Sequence, residues 1–405
     1  MAKVSAKTQA PESLHDAPLV LAVNSGSSSL KVGLYAKGEQ DVTMLISGVA
    51  DGVGHADGQL TLKDAQGAML LDQQYTLATQ GEALAKILHA LPGDTRQRIT
   101  AVGHRVVHGG PHLTEHQRIT PAVEAALEKA VPFAPLHIPP ELTLIRETAQ
   151  QLIGTPQFAC FDTAFHRTLP EVAYHYPVPE RFSEQGLRRY GFHGLSYESI
   201  LYRLHEQYPK QLPRRVICAH LGSGASMAAV LDGQSIDTSM GFTPLGGILM
   251  GTRPGDLDPG LIIGLMRVGE LTPDAAEQTL NHECGLYALS GGETDMRALL
   301  EARAQGGPHA TLAIESFAMS VRKFIGAYAA VLGGVDLLIF SGGIGEHSPV
   351  VRRLCCEGLV PHGILPKDGE EPTPQSKVRV MVAEEERQIA RHCFRLLSST
   401  TVVTE

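Results

Sequence analysis

Val20-Leu21-Ala22-Val23-Asn24-Ser25-Gly26-Ser27-Ser28-Ser29-Leu30-Lys31-Val32-Gly33-Leu34-Tyr35 runs apolar, then polar, then apolar again. The pattern predicts a strand, a tight turn and a second strand, the turn built from one amide, four hydroxyls, one glycine and one lysine. Gly26 lets backbone N–H groups approach a ligand closely, the serines add small donors, and Lys31 adds a positive charge. Such a hairpin suits an anion, above all a phosphate. Taken alone, it reads equally well as an ordinary serine-rich turn.

Recurrence separates the two readings. Arg215-Val216-Ile217-Cys218-Ala219-His220-Leu221-Gly222-Ser223-Gly224-Ala225-Ser226-Met227-Ala228-Ala229-Val230 repeats the strand, the glycine–serine elbow and the strand. Val335-Asp336-Leu337-Leu338-Ile339-Phe340 then opens onto Ser341-Gly342-Gly343-Ile344-Gly345-Glu346, a third apolar strand before a glycine-rich turn. Three such loops, each after a buried strand, indicate two duplicated nucleotide-handling halves and a loop for the nucleoside end.

With 405 residues, two domains are the default expectation. Hydrophobic residues at 43% and charged residues at 19% describe a globular chain. Thirty-four Lys and Arg against 43 Asp and Glu give a net charge of −9, which argues against nucleic-acid binding by bulk charge. No apolar run approaches the ~20 residues that cross a bilayer, so no membrane partner is expected. Residues 1–17 are polar, with Lys3 and Lys7 but no apolar stretch, and read as a disordered tail rather than a secretory signal. Cys160, Cys218, Cys284, Cys355, Cys356 and Cys393 show no CxxC pairing and read as reduced core residues of a cytoplasmic protein.

Strand-like, glycine-rich sequence continues to about Asp72, followed by a predicted helix over Glu82 to Leu91. Ala101 to His108 reads as a strand, Pro121 to Ala130 as a helix with proline in its first turn, and Glu141 to Leu152 as a helix starting after Pro139-Pro140. Gln157 to Phe161 is a short buried strand that delivers Asp162. Beyond the second hairpin, helices are expected at 258–268, 273–281 and 309–332. The last strand is expected at Val378 to Val382 and a closing helix at Glu385 to Leu397, with Glu370 to Pro374 an exposed loop. Mixed strand and helix periods indicate α/β layers.

Several clusters carry groups that a packed core would not favour. His104, His108, His112 and His116 fall four apart, but Gly109-Gly110-Pro111 cannot continue a helix, so a metal ladder is not expected. Arg105, at that strand's end, is either an ion-pair partner or an anion clamp. His137 lies in the rigid Pro135-Leu136-His137-Ile138-Pro139-Pro140 loop and by itself reads as structural. Asp162 is a candidate for magnesium or for a catalytic base, against helix capping as the plain alternative. Glycines bracket His193 in Gly191-Phe192-His193-Gly194, and Arg253 lies framed by Gly251-Thr252 and Pro254-Gly255, a setting that favours anion recognition.

Together these segments, Asn24 to Lys31, Gly103 to Gly110, Phe161 to His166, Gly191 to Gly194, Gly251 to Pro259 and Gly342 to Glu346, resemble the acetate kinase family, which includes propionate kinases. That family belongs to the actin, hexokinase and heat-shock chaperone superfamily. The match runs from about residue 20 to 395. It implies an α/β fold of two duplicated actin-like ATPase (ribonuclease H-like) domains with an active-site cleft between them. The first would be 18–163 with closing helix 386–400; the second, 164–385, would bind nucleotide and form the interface of a homodimer.

The resemblance also implies roles. Arg105 and Arg253 would clamp carboxylate and phosphoryl, and His193 would bond the transition-state oxygens with His137 in support. Asn24, Asp162 and Glu385 would hold Mg²⁺ (or Mn²⁺), directly or through water. Lys31, His220, Gly222, Ser223 and Gly224 would face the ATP phosphates. Asp295, Met296, Arg297, Gly342, Gly343, Ile344 and Gly345 would line the adenosine pocket, and Val107, Leu136, Phe192 and Pro244 the pocket for the acetate methyl.

Elementary electrostatics agrees with those cations. A carboxylate and a γ-phosphate at ~4 Å repel by about 4 kcal/mol per charge pair at an effective dielectric near 20. A carboxylate acceptor is already ionised at neutral pH and needs no general base, unlike a sugar hydroxyl. The reaction that the resemblance implies is reversible in-line transfer from ATP to acetate, giving acetyl phosphate and ADP. A propionate or butyrate kinase is the alternative within the family, and a non-catalytic nucleotide-binding regulator the alternative outside it. The chain departs from the family at Ser223 (usually Asn), Gly246 (usually Glu), Pro254 (often Ser or Cys) and Glu384 (usually Asn), which leaves nucleotide and acyl specificity open.

Overall fold

The first hairpin forms as its pattern dictates: β1 (Leu19–Ser25) and β2 (Ser29–Lys37) pair antiparallel, with Asn24 opposite Lys31. The computed structural model describes residues 17–26, 28–209, 212–359 and 377–400. The tail before Ala17, Ser27 of the elbow and the loop at Glu370 to Pro374 lie outside the described residues.

The chain divides into two compact units, one running to Ala164 and resuming at Glu384, the other Phe165–Ala383. Glu384 and Glu385 thus belong to the first unit rather than ending the second. Glu385 opens the helix Glu385–Thr400, and that helix packs on β1 and β2 of the first unit.

In the first unit, β3 (Val42–Asp51), β4 (Gly58–Asp64) and β5 (Met69–Tyr75) extend the hairpin. On its other side lie β6 (Ile99–Val106), β7 (Gln117–Arg118) and β8 (Gln157–Phe161). The order is β5-β4-β3-β2-β1-β6-β8-β7, with β1, β6 and β8 parallel. Leu19 to Val23 are buried throughout, as a central strand covered on both faces requires. One core gathers Leu21, Val23, Leu34, Leu60, Leu84 and Ile87, and a second Val106, Leu127, Leu142, Ile145 and Phe161.

The second unit holds β9 (Arg215–Leu221), β10 (Ala225–Leu231), β11 (Gln234–Thr238), β12 (Leu337–Ser341) and β13 (Val378–Val380), ordered β11-β10-β9-β12-β13. Pairing senses along this row are antiparallel, antiparallel, parallel, parallel. The same senses run along β3-β2-β1-β6-β8. The expected duplication is therefore present in topology, an elbowed hairpin feeding parallel strands in each unit.

Some boundaries differ from expectation. The helix expected from Glu141 spans Ile138–Gln151, because Pro139 and Pro140 sit in its first turn, where no N–H is required. The strand through Arg105 stops at Val106. The glycine-rich segment after β12 is not an open turn but the helix Gly342–His347, entered through a left-handed Gly342 (φ 73°). Helices Gly194–Gln207, Met296–Ala304 and Pro349–Cys356 were not expected, although Asp295 caps the second and Ser348 caps the third, which has proline in its first turn. All six cysteines are free, and all but Cys284 are buried. No described helix is long and apolar enough to cross a membrane.

Candidate active site

Parallel strands deliver the first cluster. β1, β6 and β8 run in register, so their carboxyl ends bring Asn24, Arg105 and Asp162 side by side, where open α/β sheets bind ligands. Asp162, almost wholly buried, accepts from Arg105 Nε at 3.1 and 3.0 Å and from Nη2 at 2.5 Å, while Arg105 Nη1 donates to Asn24 Oδ1 at 3.3 Å. Arg105 is thus held by an ion pair, and N–H groups on Nη1 and Nη2 remain for an anion.

The amide of Asn24 faces the other way. Its Nδ2 donates to Glu385 Oε2 at 2.9 Å and to Glu386 Oε1 at 2.8 Å. Burial, and then the neighbouring Glu385 charge, raise the Glu386 carboxyl above its ordinary range, with the Asn24 amide and Lys31 opposing. Two adjacent carboxylates on one amide form the hard-oxygen donor set that a small divalent cation takes.

Glu141, on the helix beside β6, is buried and accepts from the Val107 N–H at 3.1 Å, while its Oε2 has no hydrogen-bond partner. Burial pushes its pKa up to about 8, against the Val107 N–H and Arg105, and so favours the neutral carboxyl. Val107 is buried and Leu136 is half-exposed. His137 stands at the N-cap of the helix Ile138–Gln151, and its side chain makes no capping hydrogen bond. His104 lies buried, 2.6 Å from Gln157 Oε1, and His108 Nδ1 accepts from the Gly110 N–H, so the histidine ladder forms no row of ligands.

The second unit builds its own cluster around the Gly222-Ser223-Gly224 elbow between β9 and β10. A Cβ on Gly224 would lie 2.6 Å from Arg253 Nη2 and 3.5 Å from His193 Nε2, so both side chains press on the elbow. Arg253 Nη1 donates to Pro244 O at 2.8 Å, and the Gly251 N–H donates to Ser223 O at 3.1 Å. His193 adopts the left-handed conformation (φ 58°), a strain that the surrounding packing must hold. The His220 ring lies beside it, tilted by 38° with ring centres 4.7 Å apart. Buried Phe192 is fixed from behind, its carbonyl 3.0 Å from His166 Nε2.

Asp295 caps the helix Met296–Ala304 and pairs with Arg297 at 3.0 Å, both exposed, while Met296 is buried. Space beside Gly343 is open, and the Gly342 N–H donates to Glu346. Asn24, Arg105, Asp162 and Glu385 thus come together in one unit, and His193, His220, Gly222, Gly224 and Arg253 in the other. Glu141, Glu386, Ser226 and Tyr197 were not legible as site residues: each sits at an ordinary helix or strand position. Only the doubled acid after Glu384 hinted at Glu386.

A family model described as the acetokinase family matches residues 19–392. The chain belongs to the acetokinase family. An acetate kinase of Microcystis aeruginosa is 41% identical over 402 residues, spanning 93% of this chain and 99% of that one. The crystal structure of Porphyromonas gingivalis acetate kinase superposes with a TM-score of 0.82 at 36% identity, over 94% of this chain and 100% of that one. A propionate kinase from Francisella tularensis superposes with a TM-score of 0.84 at 31% identity, over 93% and 98%. The duplicated actin-like α/β fold expected from the acetokinase resemblance is accordingly the fold observed. Ser223 is exposed on the elbow, and a Cβ on Gly246 would meet Asp256 Oδ1 at 3.4 Å.

Proposed function

We infer that this chain is an acetate kinase, transferring the γ-phosphoryl group of ATP to acetate to give acetyl phosphate and ADP, reversibly and by direct in-line displacement. The observation that carries the reading is near-full-length identity of about 40% to proteins named acetate kinase, several of which agree. The geometry supports it. An anion-on-anion transfer needs fixed cations, and each cluster holds an arginine by bonds within its own unit, Arg105 on Asp162 and Arg253 on Pro244 O.

In this reading Arg105 binds the acyl carboxylate, and Val107, Leu136, Phe192 and Pro244 receive its methyl group. Arg253 and His193 stabilise the transferring phosphoryl with His137 in support, and an arginine in that role is worth on the order of 10³–10⁵ in rate. Lys31, His220, Gly222, Ser223 and Gly224 face the phosphates. Asp295, Met296, Arg297 and Gly342 to Gly345 receive the nucleoside. No general base is required, because the acceptor is already a carboxylate.

Asn24, Glu385 and Asp162 would hold Mg²⁺, directly or through water. The fit rests on the Glu385–Glu386 pair, whose crowded negative charge lies at the strand ends beside Asn24. Bound there, the ion would neutralise phosphate charge. Six free thiols accord with a cytoplasmic location. Exposed Leu261, Ile263 and Val268 on one helix, and Leu312, Met319 and Val331 on another, accord with a homodimer formed through the second unit, which light scattering would check.

A hydroxamate assay for acyl phosphate, run with acetate, propionate and butyrate against ATP or pyrophosphate, tests the function. Acetate with ATP should give the highest kcat/KM. A propionate preference would move the assignment within the family, and no acyl phosphate from any pair would overturn it.

A further inference from the structure

His193 enters the second cluster with one ring nitrogen turned inward and the other outward. Its Nδ1 lies 2.8 Å from Ser226 Oγ, and Ser226 Oγ lies 2.5 Å from the Tyr197 hydroxyl. Ser226 and Tyr197 are both fully buried. Nε2 points the other way, 3.5 Å from the place a Cβ on Gly224 would occupy, beside Arg253 Nη2. The neighbouring His220 repeats the arrangement: its Nδ1 lies 2.8 Å from Ser196 Oγ, and its Nε2 faces Gly222. Each imidazole on the elbow thus has a serine hydroxyl behind it.

We propose that Tyr197 and Ser226 are positioning residues that hold His193 as the neutral tautomer with its proton on Nε2, aimed at the Gly222–Gly224 elbow. The polarity of the row follows from its chemistry. A phenol is a far stronger acid than an aliphatic hydroxyl, and an imidazole nitrogen is a stronger acceptor than a phenol oxygen. Tyr197 therefore donates to Ser226 Oγ, and Ser226 donates to His193 Nδ1. With Nδ1 filled as an acceptor, the single ring proton stays on Nε2. The left-handed backbone at His193 fixes the ring against that row at the start of its helix. A neutral donor there hydrogen-bonds a phosphoryl oxygen without a second full charge beside Arg253.

The assignment of His193 to phosphoryl stabilisation rests on the kinase reading, but its tautomer does not, so the two can fail separately. The probe is ¹⁵N NMR of the full-length protein labelled at histidine, near pH 7.5 and without substrate. The His193 signals are assigned by their loss in His193→Gln. Expected is one protonated Nε2 and one unprotonated Nδ1. Ser226→Ala should mix the tautomers and lower kcat about tenfold with the KM for ATP little changed. Tyr197→Phe, which removes one oxygen and leaves the Ser226 donor, should shift both readouts in the same direction by less. A proton on Nδ1, or a doubly protonated ring, in the unaltered protein overturns the proposal, as does a tautomer unmoved in Ser226→Ala. Absence of acyl phosphate formation would instead count against the kinase reading alone.

Discussion

Asp162 holds Arg105 through both carboxylate oxygens, with Nε at 3.1 and 3.0 Å and Nη2 at 2.5 Å. The carboxylate is nearly inaccessible and the guanidinium only partly exposed, so the pair fixes the angle at which Arg105 meets an anion. Asp162→Asn should therefore lower turnover by about a hundredfold or more and also lower thermal stability, since breaking a buried pair costs about 3–5 kcal/mol. Arg105→Lys should not restore activity, because an ammonium lacks the fork. Steady-state rates and melting curves measured together check this, and near-normal turnover in Asp162→Asn would count against the clamp.

Gly224→Ala tests the second cluster without removing any functional group. The new Cβ would stand 2.6 Å from Arg253 Nη2, so the guanidinium must swing away while the backbone stays in place. The expected result is a normal melting temperature with turnover reduced by about a hundredfold. Unchanged turnover would show that Arg253 has no fixed role at the elbow.

Stability should fall on both sides of neutrality. His104 and His166 are pushed down to about 4 by burial, so their stabilising effect is present above the ordinary value of 6.5 and lost as pH falls through 4. Glu141 is pushed up to about 8 by burial, so its effect is present below 4.5 and lost as pH rises through 8. Glu141→Gln keeps an acceptor for the Val107 N–H and has no charge to bury. Its melting temperature relative to the unaltered protein should rise between pH 5 and pH 8, by more than about 1 kcal/mol equivalent. Parallel curves over that range would place the Glu141 titration elsewhere.

Metal affinity should depend on Glu386 as well as Glu385, since one Asn24 amide donates to both. Binding of Mn²⁺ followed by electron paramagnetic resonance should weaken about 10- to 100-fold in Glu385→Gln and in Glu386→Gln. Equal affinity in all three proteins would remove the cation from this cluster.

Much of this was legible in the chain. The hairpin at Asn24 and its repeat at Gly222 to Ser226 could be read because strand period, glycine and serine are local signals. Local chemistry also pointed to the duplicated halves and singled out Arg105, Asp162, His193 and Arg253 as candidates. Glu141 looked like any acid in a first helical turn, and Ser226 like any strand residue. Their roles arise from partners far along the chain: Val107 for Glu141, His193 and Tyr197 for Ser226.

By itself, the sequence determined the α/β layers and the elbows, since these depend on spacing within a few residues, and it carried the family through resemblance along nearly the whole chain. Tertiary structure decided what each polar group faces. Parallel register among β1, β6 and β8 set Asn24, Arg105 and Asp162 in one row. Burial then shifted Glu141 and Glu386, and the row from Tyr197 through Ser226 chose which nitrogen of His193 looks outward. Hydrogen-bond direction and desolvation are properties of neighbours in space, and no one-dimensional pattern encodes them.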